Sequence, residues 1–224
     1  MINKSNKSLH TAITAVLYTL ISGLVSLYVT RLILLNYGSD YNGLNATANQ
    51  LISMLLIFEG GFTLATNVAL FKPLATKNFD KINRILSATR NHFRKIGCLV
   101  FFLGLLITSG YTFIIKSPLP KTFILLIFLM TLTSTTFNLI YTTKFQILLQ
   151  SSQREYVINY IYIISHIVSQ ALIIILVINK KNMLLIRLII MSFSIINGVI
   201  ISIITRKEFK FIDFKVAPDY EAIK

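Results

Sequence analysis

The chain has 224 residues, of which 54% are apolar and 13% charged, with a mean hydropathy of +0.71. A soluble domain carries about 25% charged residues, and burying this much apolar side chain in water would need a far larger globule. A soluble enzyme, a secreted disulfide scaffold and a disordered chain are excluded, and the sequence predicts an all-α integral membrane protein.

Apolar runs near or above the ~18–20 residues that cross a bilayer recur along the chain. They predict six transmembrane helices at about 11–35, 44–71, 96–115, 122–143, 157–178 and 184–205. Residues 1–205 are thereby expected to form one six-helix transmembrane lobe, followed by a charged tail over 206–224. The first run follows Lys4 and Lys7 but is too long for a signal peptide and lacks a small-residue cleavage pattern.

The net charge of +14 would suggest nucleic acid on a soluble protein. Here most of the basic residues lie between apolar runs, where they set topology and meet anionic head groups, so no nucleic-acid partner is expected. If all six runs cross, 16 of the 22 Lys and Arg fall on one side: Lys4, Lys7, the cations from Lys72 to Lys95, Lys144, Arg154, and those from Arg206 onward. Lys116, Lys121, Lys180 and Lys181 fall on the other, which places both termini in the cytoplasm of an inner membrane.

The second run carries the clearest polar pattern. At about 100° per residue, Asn45, Asn49, Ser53, Glu59, Gly60, Thr63, Thr66 and Asn67 share an arc of roughly 140° on one continuous helix. Glu59 then lies near mid-depth, where an unpaired carboxylate costs several kcal/mol and must be paired, hydrated or protonated. It reads either as a proton- or cation-sensitive group in a transport path or as a structural partner for an Arg. Arg31, toward the outer end of the first run, is one such partner, or it snorkels to the interface.

Between the second and third runs, residues 72–95 form the single long internal connection. Phe79, Ile82, Ile85 and Leu86 recur at helical spacing among basic residues, which predicts a basic amphipathic helix in the inner head-group layer. Lys72, Lys81, Arg84 and Arg94 are its candidate lipid head-group contacts, and a merely solvated charge run is the plainer alternative. Cys98, alone in an apolar run, is expected to be a core thiol.

In the fourth run Thr131, Ser134, Thr135, Asn138 and Thr142 share a face, and in the fifth Asn159, Tyr162, His166, Ser169 and Gln170 do. His166 and Gln170, at i and i+4, either line a polar cavity or tie helices together. No phosphate-binding loop, HExxH or nucleophile arrangement stands out, so neither catalytic residues, a metal nor a cofactor is expected, and the chain does not read as an enzyme.

An ordered series of motifs runs through residues 30–97: Arg31, then Gly38-Ser39-Asp40-Tyr41-Asn42-Gly43-Leu44-Asn45, then Glu59-Gly60-Gly61, Lys72-Pro73-Leu74-Ala75, and Arg94-Lys95-Ile96-Gly97. Tyr141, Lys144 and Leu148–Tyr156 continue it. In this series the chain resembles the polysaccharide-export flippases of the multidrug/oligosaccharidyl-lipid/polysaccharide exporter superfamily, in particular the branch that moves capsule or O-antigen repeat units. Asp40 stands where Glu is usual, and Gly61 where a larger residue is usual.

The resemblance implies one lobe of a MATE-like flippase of twelve or more helices, whose two halves enclose a cavity open alternately to each side. The implied cargo is a polyprenyl-diphosphate-linked oligosaccharide of cell-surface polysaccharide biosynthesis. With that cargo, the polar stripe suggests roles along the substrate path for Arg31 at the diphosphate or sugar acids, and for Asn45, Asn49 and Asn67 at sugar hydroxyls. Glu59 would respond to protons or a counter-ion, with His166 and Gln170 as further path candidates. One lobe does not enclose the cavity, so a truncated sequence, a separate second six-helix half or a homodimer is expected. The alternatives are a membrane enzyme of the same pathway, a repeat-unit polymerase or acyltransferase, for which the short external connections leave no domain, and a non-functional remnant.

Overall fold

The computed structural model describes residues 4–59 and 61–223, with the side chains of residues 4–8 and of Phe58 outside that description. Gly60 and Lys224, and the side chains of Lys4 and Lys7, therefore lie outside the described residues. Eight α-helices make up the described fold: α1 (Lys4–Tyr37), α2 (Ser39–Met54), α3 (Phe62–Ala75), α4 (Phe79–Ile114), α5 (Lys121–Phe137), α6 (Thr143–Ser151), α7 (Glu155–Ile178) and α8 (Met183–Glu208). Five continuous helical segments are long and apolar enough to cross a membrane, or six if the bent pair α2–α3 counts as one.

Local chemistry sets the helix ends. Gly38 separates α1 from α2 with φ 84° and ψ 176°, a conformation essentially confined to glycine. Asn78 caps α4 by accepting from the Lys81 N–H at 3.0 Å, with Asp80 in the first turn where the helix dipole favours an acid. Asn182 does the same for α8, accepting from the Leu184 N–H at 2.9 Å. Pro118 and Pro120 fall in the link after α4, where they cannot continue a helix.

The elements follow one another around the bundle. α1 lies along α7, α7 on α8, α8 on α5, and α5 on both α4 and α2, while α3 packs on α4 and α6. Glycines set the closest approaches: a Cβ at Gly97 would run into Ile140, one at Gly104 into Leu132, and one at Gly198 into Thr142. Small residues that let helix backbones close up are the usual basis of association in lipid, where no hydrophobic drive exists between helices.

Two apolar clusters result. One joins Val29, Ile33, Leu44, Phe128, Val177 and Ile186 near the end of the molecule that bears the α7–α8 link. The other, at the opposite end, joins Leu70, Ile82, Leu86, Phe93, Leu148 and Phe209. Large residues on the outer faces stay uncovered, with Leu24 70% and Leu27 71% exposed on α1. A membrane provides the apolar solvent that such faces need.

Three expectations differ from the structure. The second run is not one continuous helix: α2 passes into a 3₁₀ turn (Leu55–Glu59), and the pair meets at 54°. The arc drawn across it therefore splits into two faces. The connection 72–95 does not hold a separate helix: from Phe79 it is continuous with the third run in a single helix of 36 residues. Its apolar residues Ile82, Ile85 and Leu86 are buried within the protein, while Lys72, Lys81, Arg84 and Arg94 are exposed. Cys98 is exposed and not a core thiol, since an apolar helix in a membrane also carries apolar residues on its outer side.

Candidate functional site

The break between α2 and α3 divides the polar residues of the second run among three neighbours. From α2, the Asn45 Oδ1 accepts from Arg187 Nη1 at 2.8 Å and the Asn49 Oδ1 from Arg187 Nη2 at 3.0 Å. Thr131 Oγ1 on α5 accepts from the same Nη2. Arg187 is only 3% exposed and is held entirely by neutral oxygens, with its Nε unpartnered. It thus ties α8 to α2 and α5, and the two asparagines expected on the substrate path are engaged in this clamp.

From α3, Asn67 turns to α6, its Oδ1 accepting from Ser151 Oγ at 2.8 Å and its Nδ2 donating to Gln150 Oε1 at 3.4 Å. Glu59, at the end of the 3₁₀ turn, accepts from Thr63 Oγ1 one helical turn on. Arg31 is exposed on α1 and makes no ion pair with Glu59; the single ion pair among the described residues joins Arg154 and Glu208. No group of three metal-ligating side chains occurs among the described residues either.

Glu59 and Thr63 open instead into a cleft of about 350 Å³. Thr135, Asn138, Gln146 and Gln150 face them across it, with Leu56, Leu139 and Ile147 supplying apolar wall. A second cleft, of about 390 Å³, lies between α1, α7 and α8 and is lined by Tyr18, Tyr162, His166, Gln170, Ser194 and Asn197 among others. Here His166 Nε2, Gln170 Oε1 and Asn197 Oδ1 have no hydrogen-bond partner in the protein. Tyr18 meets His166 edge-on at 6.5 Å between ring centroids and Tyr162 at 5.9 Å.

Asn138 lines both clefts. It opens a π-helical turn (Asn138–Thr142) between α5 and α6, and its Nδ2 donates to Ser194 Oγ on α8 at 2.9 Å. Single π turns inside α-helices are frequent at functional sites, because the extra residue frees backbone groups and redirects side chains. The Gln146 Nε2 donates to the Tyr162 hydroxyl at 2.5 Å, a second link between the walls of the two clefts.

The protein-family models, curated proteins and solved structures compared with the chain yielded no match.

The structure thus brings Glu59 into one cleft, and His166 and Gln170 into the other, joined by Asn138 and the Gln146–Tyr162 bond. It gathers neither Arg31 nor Asn67 with them. Arg187 is not singled out by the sequence: it stands near the start of an apolar run, outside the 16 and 4 cations that set the orientation, with no acidic residue nearby to suggest a partner. Its signal was the pair Asn45 and Asn49, four residues apart on one helix face, which present two oxygens to a single partner.

Proposed function

We propose that the chain translocates polyprenyl-diphosphate-linked oligosaccharide repeat units across the inner cell membrane, as one lobe of a flippase acting in cell-surface polysaccharide biosynthesis. The observation that carries this is the adjoining pair of clefts around Asn138 in an apolar helix bundle. Amides, hydroxyls and aromatic rings dominate their polar lining, with Glu59 and His166 as the carboxylate and the imidazole. Such a lining suits a cargo rich in hydroxyl groups, which asks for many neutral donors and acceptors and for aromatic faces. Ionisable side chains inside a membrane bundle, here Glu59 and His166, are candidates for a substrate path. The motif series from Arg31 to Gly97 supports the same reading.

In this proposal the oligosaccharide passes along the cleft face while the polyprenyl tail stays in lipid. Asn138, Gln146, His166 and Gln170 exchange hydrogen bonds with sugar hydroxyls, and Arg31 meets the diphosphate at the outer end of α1. Glu59, at the break in the second span, answers protons or a counter-ion and so biases the two-sided equilibrium. A second six-helix half or a second copy completes the cavity, and both termini face the cytoplasm.

Complementation tests the reading. Cells deleted for the chain lose surface polysaccharide, and the wild-type gene restores it. Asn138→Leu and Glu59→Gln, each checked for membrane abundance equal to wild type, restore less than about a tenth of it, the loss expected when a site built for hydroxyls leaves its polar partners unpaired. Unchanged polysaccharide in the deletion, or full restoration by both variants, overturns the proposal.

A further inference from the structure

The residues after α8 do not trail away from the bundle. Asn83 on α4 holds them from both sides, its Nδ2 donating to the Phe211 carbonyl at 2.8 Å and its Oδ1 accepting from the Asp213 N–H at 3.1 Å. Phe79 packs on Phe211 at 4.4 Å between centroids, and the Asp219 N–H donates to the Arg84 carbonyl at 3.2 Å. Fastened in this way, the segment closes a pocket of about 370 Å³.

Its walls carry Arg90, Arg206, Lys210 and Lys215 around Phe214, with Asp213 the one acid. Asp213 Oδ1 already accepts from the Lys215 N–H at 2.8 Å. The Arg90 guanidinium lies 5.6 Å from the centre of the Phe214 ring, and its Nε is buried without a hydrogen-bond partner. Lys144 reaches the same ring at 5.8 Å; it is 7% exposed and its Nζ donates to the Ile140 carbonyl at 2.9 Å. The charges acting most strongly on Lys144 are those of Arg206, Arg90 and Arg94, all of its own sign. Among the described residues none of these cations forms an ion pair, the one such pair being Arg154–Glu208, and Asp213 is the single carboxylate in the pocket wall.

Like charges gathered against aromatic rings, one of them buried, repel one another until an anion enters. Aromatic faces hold guanidinium and ammonium groups in place without neutralising them. Two guanidinium forks with supporting ammonium groups match the several oxygens and multiple charge of a phosphate better than they match a carboxylate or a halide. We propose that this pocket binds a phosphate-bearing anion of the diphosphate or phosphomonoester class, gripped by Arg90 and Arg206 and supported by Lys144, Lys210 and Lys215. The site stands apart from the two clefts and does not depend on the chain moving a cargo.

The test follows thermal unfolding of the full chain by circular dichroism in neutral detergent, with inorganic pyrophosphate or phosphatidic acid in mixed micelles as probes. Pyrophosphate is expected to raise the midpoint saturably. The variant Arg90→Gln/Arg206→Gln raises the half-saturating concentration about tenfold or more, as expected when charge-assisted bonds are removed. Lys77→Gln/Lys95→Gln, at exposed cations outside the pocket, changes it by less than about twofold, as screened surface charges do. A response to phosphatidic acid alone, with the same dependence on Arg90 and Arg206, supports the site with a lipid head group as its source. Silence with both probes, or equal weakening by both double variants, overturns the proposal. Arg206→Gln alone, at an exposed side chain, is read by the same criteria if the double variant does not fold.

Discussion

Arg187 is the most deeply buried charged side chain among the described residues. A guanidinium 3% exposed in an apolar helix is costly, and three neutral oxygens from Asn45, Asn49 and Thr131 offset the cost. Arg187→Leu removes the charge but leaves those oxygens unsatisfied, so unfolding in detergent is expected to become easier by about 1–3 kcal/mol. Asn49→Leu acts on the same clamp from the other side. The double variant is therefore expected to cost less than the sum of the single ones, with a coupling of about 0.5 kcal/mol or more in a denaturant titration. Strict additivity would show that the contacts carry no joint energy. The two asparagines were legible in the sequence as a polar face. Their partner was not, because helical periodicity reports what shares a face and not what lies opposite it.

Among elements, α4 shows most clearly how local pattern and tertiary packing divide the work. The pattern Phe79, Ile82, Ile85, Leu86 correctly marks an amphipathic helix, and periodicity alone leaves open whether lipid or protein covers its apolar side. Here α3, α6 and the segment after α8 cover it, and the expected separate helix is the N-terminal half of a long one. The break at Leu55–Glu59 was equally hidden, since Gly60-Gly61 reads as easily as a tolerated pair within a helix as it does a kink. Gly97 and Gly104, two turns apart on α4, mark the line along which α5 and the π turn approach. Gly104→Leu forces a side chain into Leu132 and is expected to destabilise by about 1–3 kcal/mol. Gly23→Ala on α1 meets nothing within 4 Å and is expected to be neutral or to stabilise by up to about 1 kcal/mol. Thermal melts of the two purified variants check the contrast, and equal effects would contradict the packing described.

At the scale of the whole molecule, composition already specified an all-helical chain in lipid, and the exposed leucines of α1 accord with it. The charge asymmetry, 16 cations against 4 across the six expected spans, predicts an orientation. With Cys98→Ser as background, a cysteine at Lys181 is expected to react with a membrane-impermeant maleimide in intact cells, and one at Lys207 only after lysis. The reverse order would invert the topology. The clefts were legible in part. Glu59, His166 and Gln170 are candidates from the sequence as polar residues in apolar runs, Asn138 is only one member of a polar face, and their meeting near the π turn depends on how α5, α6, α7 and α8 pack.

The most direct measurement of transport is the leaflet distribution of lipid-linked oligosaccharide in sealed vesicles from cells with and without the chain, read by accessibility to a membrane-impermeant glycosidase. If the chain is part of a flippase, its loss confines the oligosaccharide to the cytoplasmic leaflet, and Asn138→Leu at normal abundance does the same. An unaltered distribution in vesicles lacking the chain would contradict the transport role outright.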